Sequence, residues 1–280
     1  MNGDEFDILS NLVKERSGLV LTRDKAYLLE SRLLPVARKW QLKTLAELAA
    51  AVRSRADTGL VRAIVEAMTT NESFFFRDVK PFDQFKSFVL PHLLRTRAST
   101  RTIRIWSAAC SSGQEPYSLA MILTEHRAQL ANWRIEILAT DLSTEILEKA
   151  QAGLYSQFEV QRGLPIQLLV KYFKQQGDRW QIDPAIRAMV NFRQLNLLDD
   201  IAGLGRFDVI FCRNVLIYFD QPTKTLVLDR LSRQMAPDGH LYLGGAETVL
   251  GITDKLQPVP DNRGIYSIAP PIAPLARAVG

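Results

Sequence analysis

Polar residues recur in this chain where an α/β sheet would gather them along one edge: Glu115, Asp141, Asn196 and the pair Arg213-Asn214. Each follows an apolar run with the texture of a buried strand, at 103–108, 135–141, 189–196 and 207–214. Ligands of open α/β sheets bind at the carboxyl ends of the strands. A carboxylate closing the second strand, Asp141, can accept from both hydroxyls of a ribose at once. Asn196 offers the paired donor and acceptor that an adenine edge presents. Glu115 favours a cationic group nearby. The turn after the first strand, 107–113, holds seven consecutive side chains no larger than a thiol, and Pro116 follows in the first turn of a helix. Backbone N–H groups there are open to close approach. Yet the turn has a single Gly, so neither G-x-G-x-x-G nor a P-loop is matched, and Glu115 would repel a pyrophosphate. A ligand with adenosine, no phosphates and a positive centre is S-adenosylmethionine (AdoMet). Singly, Asp141 also reads as a helix cap and Asn196 as a turn residue; their succession along the strand ends selects the ligand.

The elements that must position these residues alternate from Ile103 onward. Strands at 103–108, 135–141, 189–196, 207–214, 239–245 and 263–268 are separated by helices, the pattern of a mostly parallel sheet. Ser143 or Thr144 caps a helix that Gly153 stops. The run QGDRWQI (176–182) predicts a hairpin around Gly177-Asp178, an antiparallel insertion in that alternation. Residues 1–70 have another texture, with helical spacing of Phe6, Leu9, Leu12 and Val13 up to Gly18. A second helix capped by Thr22 carries Leu29, Leu33 and Trp40 on one stripe and Arg23, Lys25, Arg32, Arg38 and Lys39 on the other; Pro35 is expected to kink or split it. The capping box Thr44–Glu47 starts a third helix and Asp57 a fourth through Leu60, Ile64, Val65 and Met68. Between the two textures lies TTNESFFFRD (69–78). Three consecutive Phe cannot face one core from a regular element, which predicts a segment lying between two bodies.

Composition narrows the class. The chain has 280 residues, 47% apolar and 23% charged, as in a globular protein. No apolar run approaches the roughly 18 residues of a membrane span. The acidic start lacks a secretory signal pattern, and Cys110 and Cys212 are too few and too distant for a disulfide framework, so a cytoplasmic protein with reduced thiols is expected. Three scattered His suggest no metal site. The net charge of +5 suits an acidic protein surface as well as nucleic acid.

The segments TTNESFFFRD, WSAACSSGQEPYS, ATDLS, LNLLD and FDVIFCRNVLIYFD closely resemble the CheR family, AdoMet-dependent chemotaxis receptor methyltransferases, over the chain up to about residue 268. The resemblance implies a helical N-terminal domain at 1–70, a linker and connecting helix at 71–100, and a Rossmann-like methyltransferase domain at 101–270. That domain carries a small antiparallel β-subdomain at about 160–188, and 271–280 is expected to be a disordered tail. It implies transfer of methyl groups to the γ-carboxylates of glutamates on the cytoplasmic helices of chemoreceptors, without nucleic acid or membrane insertion. It places cofactor contacts on Asn71, Ser73, Arg77, Glu115, Asp141, Asn196, Leu197, Arg213 and Asn214, and marks Arg77 and Tyr218 as nearest the transfer. Ser73 stands where many relatives have Thr, which keeps the hydroxyl. The basic helix, with Arg32, Arg38 and Lys39, then gains a partner in the glutamate-rich receptor. Some members grip a peptide at the receptor C-terminus on an extended hairpin loop. Here KQQGDR between Phe173 and Trp180 fits only a tight turn, so independence from such a tether is expected.

Two other readings use the same residues. A methyltransferase acting on nucleic acid or small molecules is possible on charge alone, but the Asn/Asp-Pro-Pro-Tyr/Phe run typical of amino-methylating nucleic-acid enzymes is replaced by Arg213-Asn214-Val215-Leu216. A non-catalytic AdoMet-sensing or receptor-docking module would not need Arg77 and Tyr218.

Overall fold

A computed structural model describes residues 1–54 and 57–270; the expected disordered tail lies outside them. Four helices come first: α1 (Gly3–Ser17), α2 (Ala26–Lys39), α3 (Leu45–Arg53) and α4 (Thr58–Met68). They enclose Leu9, Val13, Leu29, Leu33, Leu48 and Ile64 in a core of their own. Gly18 ends α1 in the left-handed conformation at φ 79°, where a side chain would also collide with Thr223 and Phe219. Two expectations change. Thr22 gives no capping hydrogen bond, and a 3₁₀ turn at Arg23–Lys25 leads into α2 instead. Pro35 neither splits nor ends α2. Its missing N–H orphans only the carbonyl of exposed Ser31, while Leu29, Leu33 and Ala37 hold both flanks in the core.

Residues 69–79 cross to short helices α5 (Lys80–Gln84) and α6 (Leu90–Thr96), joined by a π-helical turn at Phe85–Val89. Then follow β1 (Thr102–Ala108), α7 (Gln114–Glu125), β2 (Arg134–Asp141), α8 (Thr144–Ala152), β3 (Leu154–Ser156), α9 (Gln157–Gln161), α10 (Ile166–Tyr172), β4 (Phe173–Gln176), β5 (Arg179–Ile182), α11 (Pro184–Ala188), β6 (Val190–Gln194), β7 (Phe207–Phe211), α12 (Gln221–Arg233), β8 (Met235–Tyr242), β9 (Leu256–Pro258) and β10 (Ile265–Ile268). The large sheet runs β6-β2-β1-β7-β8-β10-β9. Its first five strands are parallel; β10 and β9 close it antiparallel. Alternate residues feed opposite layers: Ile103, Ile105, Val209 and Phe211 join the core that also holds α7 and the helices at 80–96, with Phe211 against Phe82 and Phe85, and Trp106, Ile210 and Leu241 join the core that holds α12. Strand order reverses between β1 and β7, the switch point at which such sheets open a crevice.

The antiparallel insertion is a three-stranded sheet, β3-β5-β4. It begins earlier than the hairpin alone suggested, because β3 precedes the expected start; three residues are too few to show a period. Gly177-Asp178 makes the tight hairpin turn, with Gly177 at φ 62° and open space around it. The fifth strand of the large sheet starts at Met235 and stops at Tyr242, leaving Gly244 and Gly245 to a loop.

Candidate functional site

The strand ends β1, β2, β6 and β7 open onto one cavity of about 950 Å³, measured with its open mouth. Every residue that the sequence singled out for cofactor or catalysis lines it: Asn71, Ser73, Arg77, Glu115, Asp141, Asn196, Leu197, Arg213, Asn214 and Tyr218. So do Ser17 and Leu19, from the end of α1, which nothing in the sequence pointed to.

The floor is the turn between β1 and α7. Ala109 (φ 56°) and Ser111 (φ 51°) take left-handed conformations, and Gly113 (φ 88°) does so as the cap of α7. Cys110 and Ser112 between them are buried, so only small side chains fit. Asp141 reaches this turn from β2: Oδ2 accepts from the Ser111 N–H at 2.8 Å and Oδ1 from Ser143 N–H at 3.1 Å. Burial pushes its carboxyl upward, opposed by those backbone donors. A carboxylate has about four lone-pair sites, so capacity remains for hydroxyls.

Glu115 is buried in the first turn of α7. Oε1 accepts from Ser107 Oγ at 2.8 Å and Oε2 from Arg213 Nη1 at 3.1 Å. Burial raises its carboxyl; the charge of Arg213 and the Ser107 hydroxyl pull it back. The Arg213 side chain is 1% exposed. Its Nη2 donates to Arg77 O and to Asp78 Oδ2 at 3.0 and 2.6 Å, and its Nε is buried without a partner among the described residues. An orphaned guanidinium N–H beside a cavity is a donor waiting for an anion.

Glu247, missed in the sequence, fixes the loop after β7. Its carboxylate accepts from backbone N–H groups of Asn214 (2.8 Å), Val215 (2.8 Å), Ile217 (3.3 Å) and Gly244 (2.6 Å). Asn214 sits at φ 61°, and a side chain at Gly244 would lie 2.7 Å from Asn214 Nδ2. The only signal in the sequence was a lone acid after a buried strand, in GGAET, with no partner in view. From the other side, the Val20 N–H donates to Tyr218 O at 2.9 Å, and Leu19 bridges Phe219. The half-buried Tyr218 side chain therefore faces the cavity from a loop held on two sides, and no described residue engages its hydroxyl.

Two residues are committed elsewhere than their chemistry suggested. The Asn196 amide donates to Arg16 O at 2.6 Å and its oxygen accepts from Leu198 N–H, so its side chain ties α1 to the strand end and half of its hydrogen-bonding capacity is already used. Arg32 donates to the carbonyls of Met68 and Thr69, both at 2.9 Å, holding the linker while partly exposed; Arg38 and Lys39 are exposed. In the linker, Ser111 Oγ donates to Asn71 O, and Arg77 Nη1 donates to Glu72 O at 2.9 Å. Among the described residues no group of His, Cys, Asp and Glu could hold a metal ion, and no helix is long and apolar enough to cross a membrane.

Comparison with known proteins gives matches to two family models: the SAM-binding domain of CheR methyltransferase over residues 71–265 and its all-alpha domain over 4–69. Chemotaxis protein methyltransferase 1 of Pseudomonas aeruginosa is 43% identical over 265 residues, 93% of this chain and 96% of that protein. The chemotaxis protein methyltransferase of Vibrio parahaemolyticus is 40% identical over 268 residues, 95% and 96% of the two chains.

Proposed function

The chain belongs to the CheR methyltransferase family, as an AdoMet-dependent chemotaxis methyltransferase, and from that premise we propose that it esterifies the γ-carboxylates of glutamates on the cytoplasmic helices of chemoreceptors. One observation carries the reading: residues from four strand ends, the linker and the loop after β7 meet around a single cavity. The cavity suits the cofactor. Asp141 keeps lone pairs for the ribose hydroxyls, Leu195 and Leu197 offer an apolar wall to adenine, and Asn196 lies between them, tied to α1. Glu115 meets the ammonium end, and Arg213, with its free Nε, together with Asn214 meets the carboxylate. Asn71 and Ser73 close the linker side. When bound, AdoMet supplies a methyl group already activated by its sulfonium.

Little else is asked of the protein. A glutamate side chain, with a reference pKa near 4.3, is already a nucleophile at pH 7 and needs no general base. What remains is to bring one carboxylate oxygen into line and to exclude water. Arg77 holds the incoming carboxylate by a charge-assisted bond and leaves one oxygen free, since full bidentate pairing would blunt it. Tyr218, which lines the same cavity with its hydroxyl unengaged, orients the same group. Arg38 and Lys39 present positive charge to the acidic receptor, and Arg32 serves it only through the linker. The hairpin turn is two residues long, so the receptor is met without a C-terminal tether. The domain division we adopt is 1–70, 71–100 and 101–270.

Labelled methyl transfer to receptor-containing membranes, followed by mild alkali, tests the proposal. Methanol release marks carboxyl methyl esters; alkali-stable label would mean another acceptor, and no label a binding module.

A further inference from the structure

The small antiparallel sheet touches the linker in a way that has no bearing on a tether. Phe75, fully buried, meets Tyr155 and Phe173 of that sheet edge-on, with ring centroids 5.0 and 5.5 Å apart. At Gly163, just after α9, the φ is +84°, and a Cβ would lie 2.1 Å from Phe75 O and 3.0 Å from Phe74 Cδ2. Backbone therefore lies directly on backbone there. Beside it, Arg162 Nη2 donates to Glu72 Oε1 at 2.7 Å, and its guanidinium carbon lies 4.4 Å from the centroid of the Phe74 ring. Arg77 uses the same two residues: its guanidinium is 5.5 Å from the Phe74 ring, and its Nη1 donates to Glu72 O. Arg77 forms no ion pair among the described residues. Its place is set by Glu72 and Phe74, and both of these are held by Arg162.

We propose that Arg162, with Gly163 beside it, is a positioning residue for Arg77, and that this is what the small sheet contributes to methyl transfer. The proposal rests on the reading of Arg77 given above. Two guanidinium groups on one ring would repel each other; the Glu72 carboxylate, bonded to Arg162 and within reach of the charge of Arg77, offsets this, and its pKa is drawn down chiefly by the Arg162 hydrogen bond and then by the charges of Arg162 and Arg77. Arg162 is partly exposed, 40% at the side chain, so its removal leaves no buried hole. It releases Glu72 and Phe74, and with them the guanidinium meant to hold the substrate carboxylate.

The test is a double-mutant cycle on the full-length enzyme with receptor-containing membranes, using Arg162→Ala, Arg77→Ala and the double variant. S-adenosylhomocysteine affinity, thermal midpoint and hydrogen exchange of the 71–77 amides are measured alongside. Arg162→Ala is expected to lower kcat about five- to tenfold, the size that an exposed cation–π contact and an exposed ion pair reach together. Product affinity and thermal midpoint should stay put while exchange at 71–77 quickens. Arg162→Lys, which keeps the charge on Glu72 but loses the planar contact with Phe74, should recover part of the rate. In the Arg77→Ala background, Arg162→Ala should add nothing. A wild-type kcat for Arg162→Ala beside an impaired Arg77→Ala, or additive losses in the double variant, overturns the proposal. A wild-type rate for Arg77→Ala itself would instead remove the role of Arg77, and the proposal with it.

Discussion

The cavity is approached by two segments held in opposite ways. The loop after β7 is pinned from inside: a buried carboxylate, Glu247, gathers backbone N–H groups of Asn214, Val215 and Ile217 and ties them to Gly244. The linker is pinned from its surroundings: buried Phe75 and Phe76 anchor its C-terminal half, and its polar half is held by Arg32 of the helical domain and by Arg162 of the loop after α9, both partly exposed. It is also strained. Phe76, Asp78 and Val79 have φ of 52°, 68° and 48°, and for β-branched Val79 that region is costly, on the order of 1–3 kcal/mol. A charged acceptor bonded to several donors away from water is strong, whereas each exposed contact is worth about 1 kcal/mol or less. The loop is thus a fixed wall, and the polar part of the linker, around Glu72 and Phe74, is the side that yields when its neighbours change. Arg213 joins the two, reaching from the fixed loop to Arg77 O and Asp78.

The contrast is broken most directly at Glu247. Glu247→Ala should cost about 3 kcal/mol or more of stability, because it strands several buried N–H groups at once, and Glu247→Gln should cost nearly as much by turning amide donors toward other donors. Denaturant titration decides; a near wild-type midpoint would mean that something else holds the loop. On the yielding side, Arg77→Ala should leave the fold intact and lower turnover roughly a hundredfold, the scale of a misplaced reacting group, with Tyr218→Phe following in the same direction. Equal losses in cofactor affinity would make both residues ligands of the cofactor only. Asp141 belongs to neither segment. Asp141→Ala should weaken S-adenosylhomocysteine by about 1.5–3 kcal/mol in calorimetry while leaving the loop after β7 in place.

How much of this was legible in the sequence follows the same division. Asp141 and Glu115 could be read because strand ends are marked by period and the acids stand one to a strand end. The three Phe were read as facing more than one body, yet Phe75 and Phe76 enter one core, with Tyr155, Phe173 and Phe82, because the segment is not a regular element; Phe74 lies under Arg162. Glu247 was not legible, since its partners are main-chain N–H groups, which carry no residue signature. Asn196 was assigned by what its amide could do for a ligand, whereas a carbonyl of α1 claimed it first. Pro35 does not split α2, because local propensity yields to a packed face.

A smaller effect tests the outer end of the fixed loop. Asp220 caps α12 and pairs with Lys14 at 2.7 Å, and the Lys14 hydrogen bond, followed by those of Thr223, lowers its carboxyl to about 2. A carboxyl depressed in the folded state adds stability above its ordinary pKa and loses it as pH falls through the folded value. The contribution should therefore be complete above about pH 4 and vanish toward pH 2. Lys14→Ala should lower stability throughout the range above about pH 4 and reduce its slope only in that window, part of which the Thr223 bonds retain, as acid titrations of the two proteins would reveal.

The smallest expected effect divides one helix between the two roles. Arg32, Arg38 and Lys39 lie together on α2, and charge alone would give them one task. Yet Arg32 is engaged at Met68 and Thr69, while Arg38 and Lys39 stand in solvent. An exposed cation acts on an acidic partner mainly through long-range attraction, which salt screens over roughly 8–10 Å. Arg38→Glu with Lys39→Glu should therefore raise KM for receptor a few-fold, weaken its dependence on salt, and leave kcat and product affinity unchanged. Arg32→Gln should do the reverse, lowering kcat through a loosened linker with little change in the salt dependence of KM. Steady-state methylation at two ionic strengths separates them. If both variants shift KM with salt alike, α2 presents a single docking face, and the linker is held without Arg32.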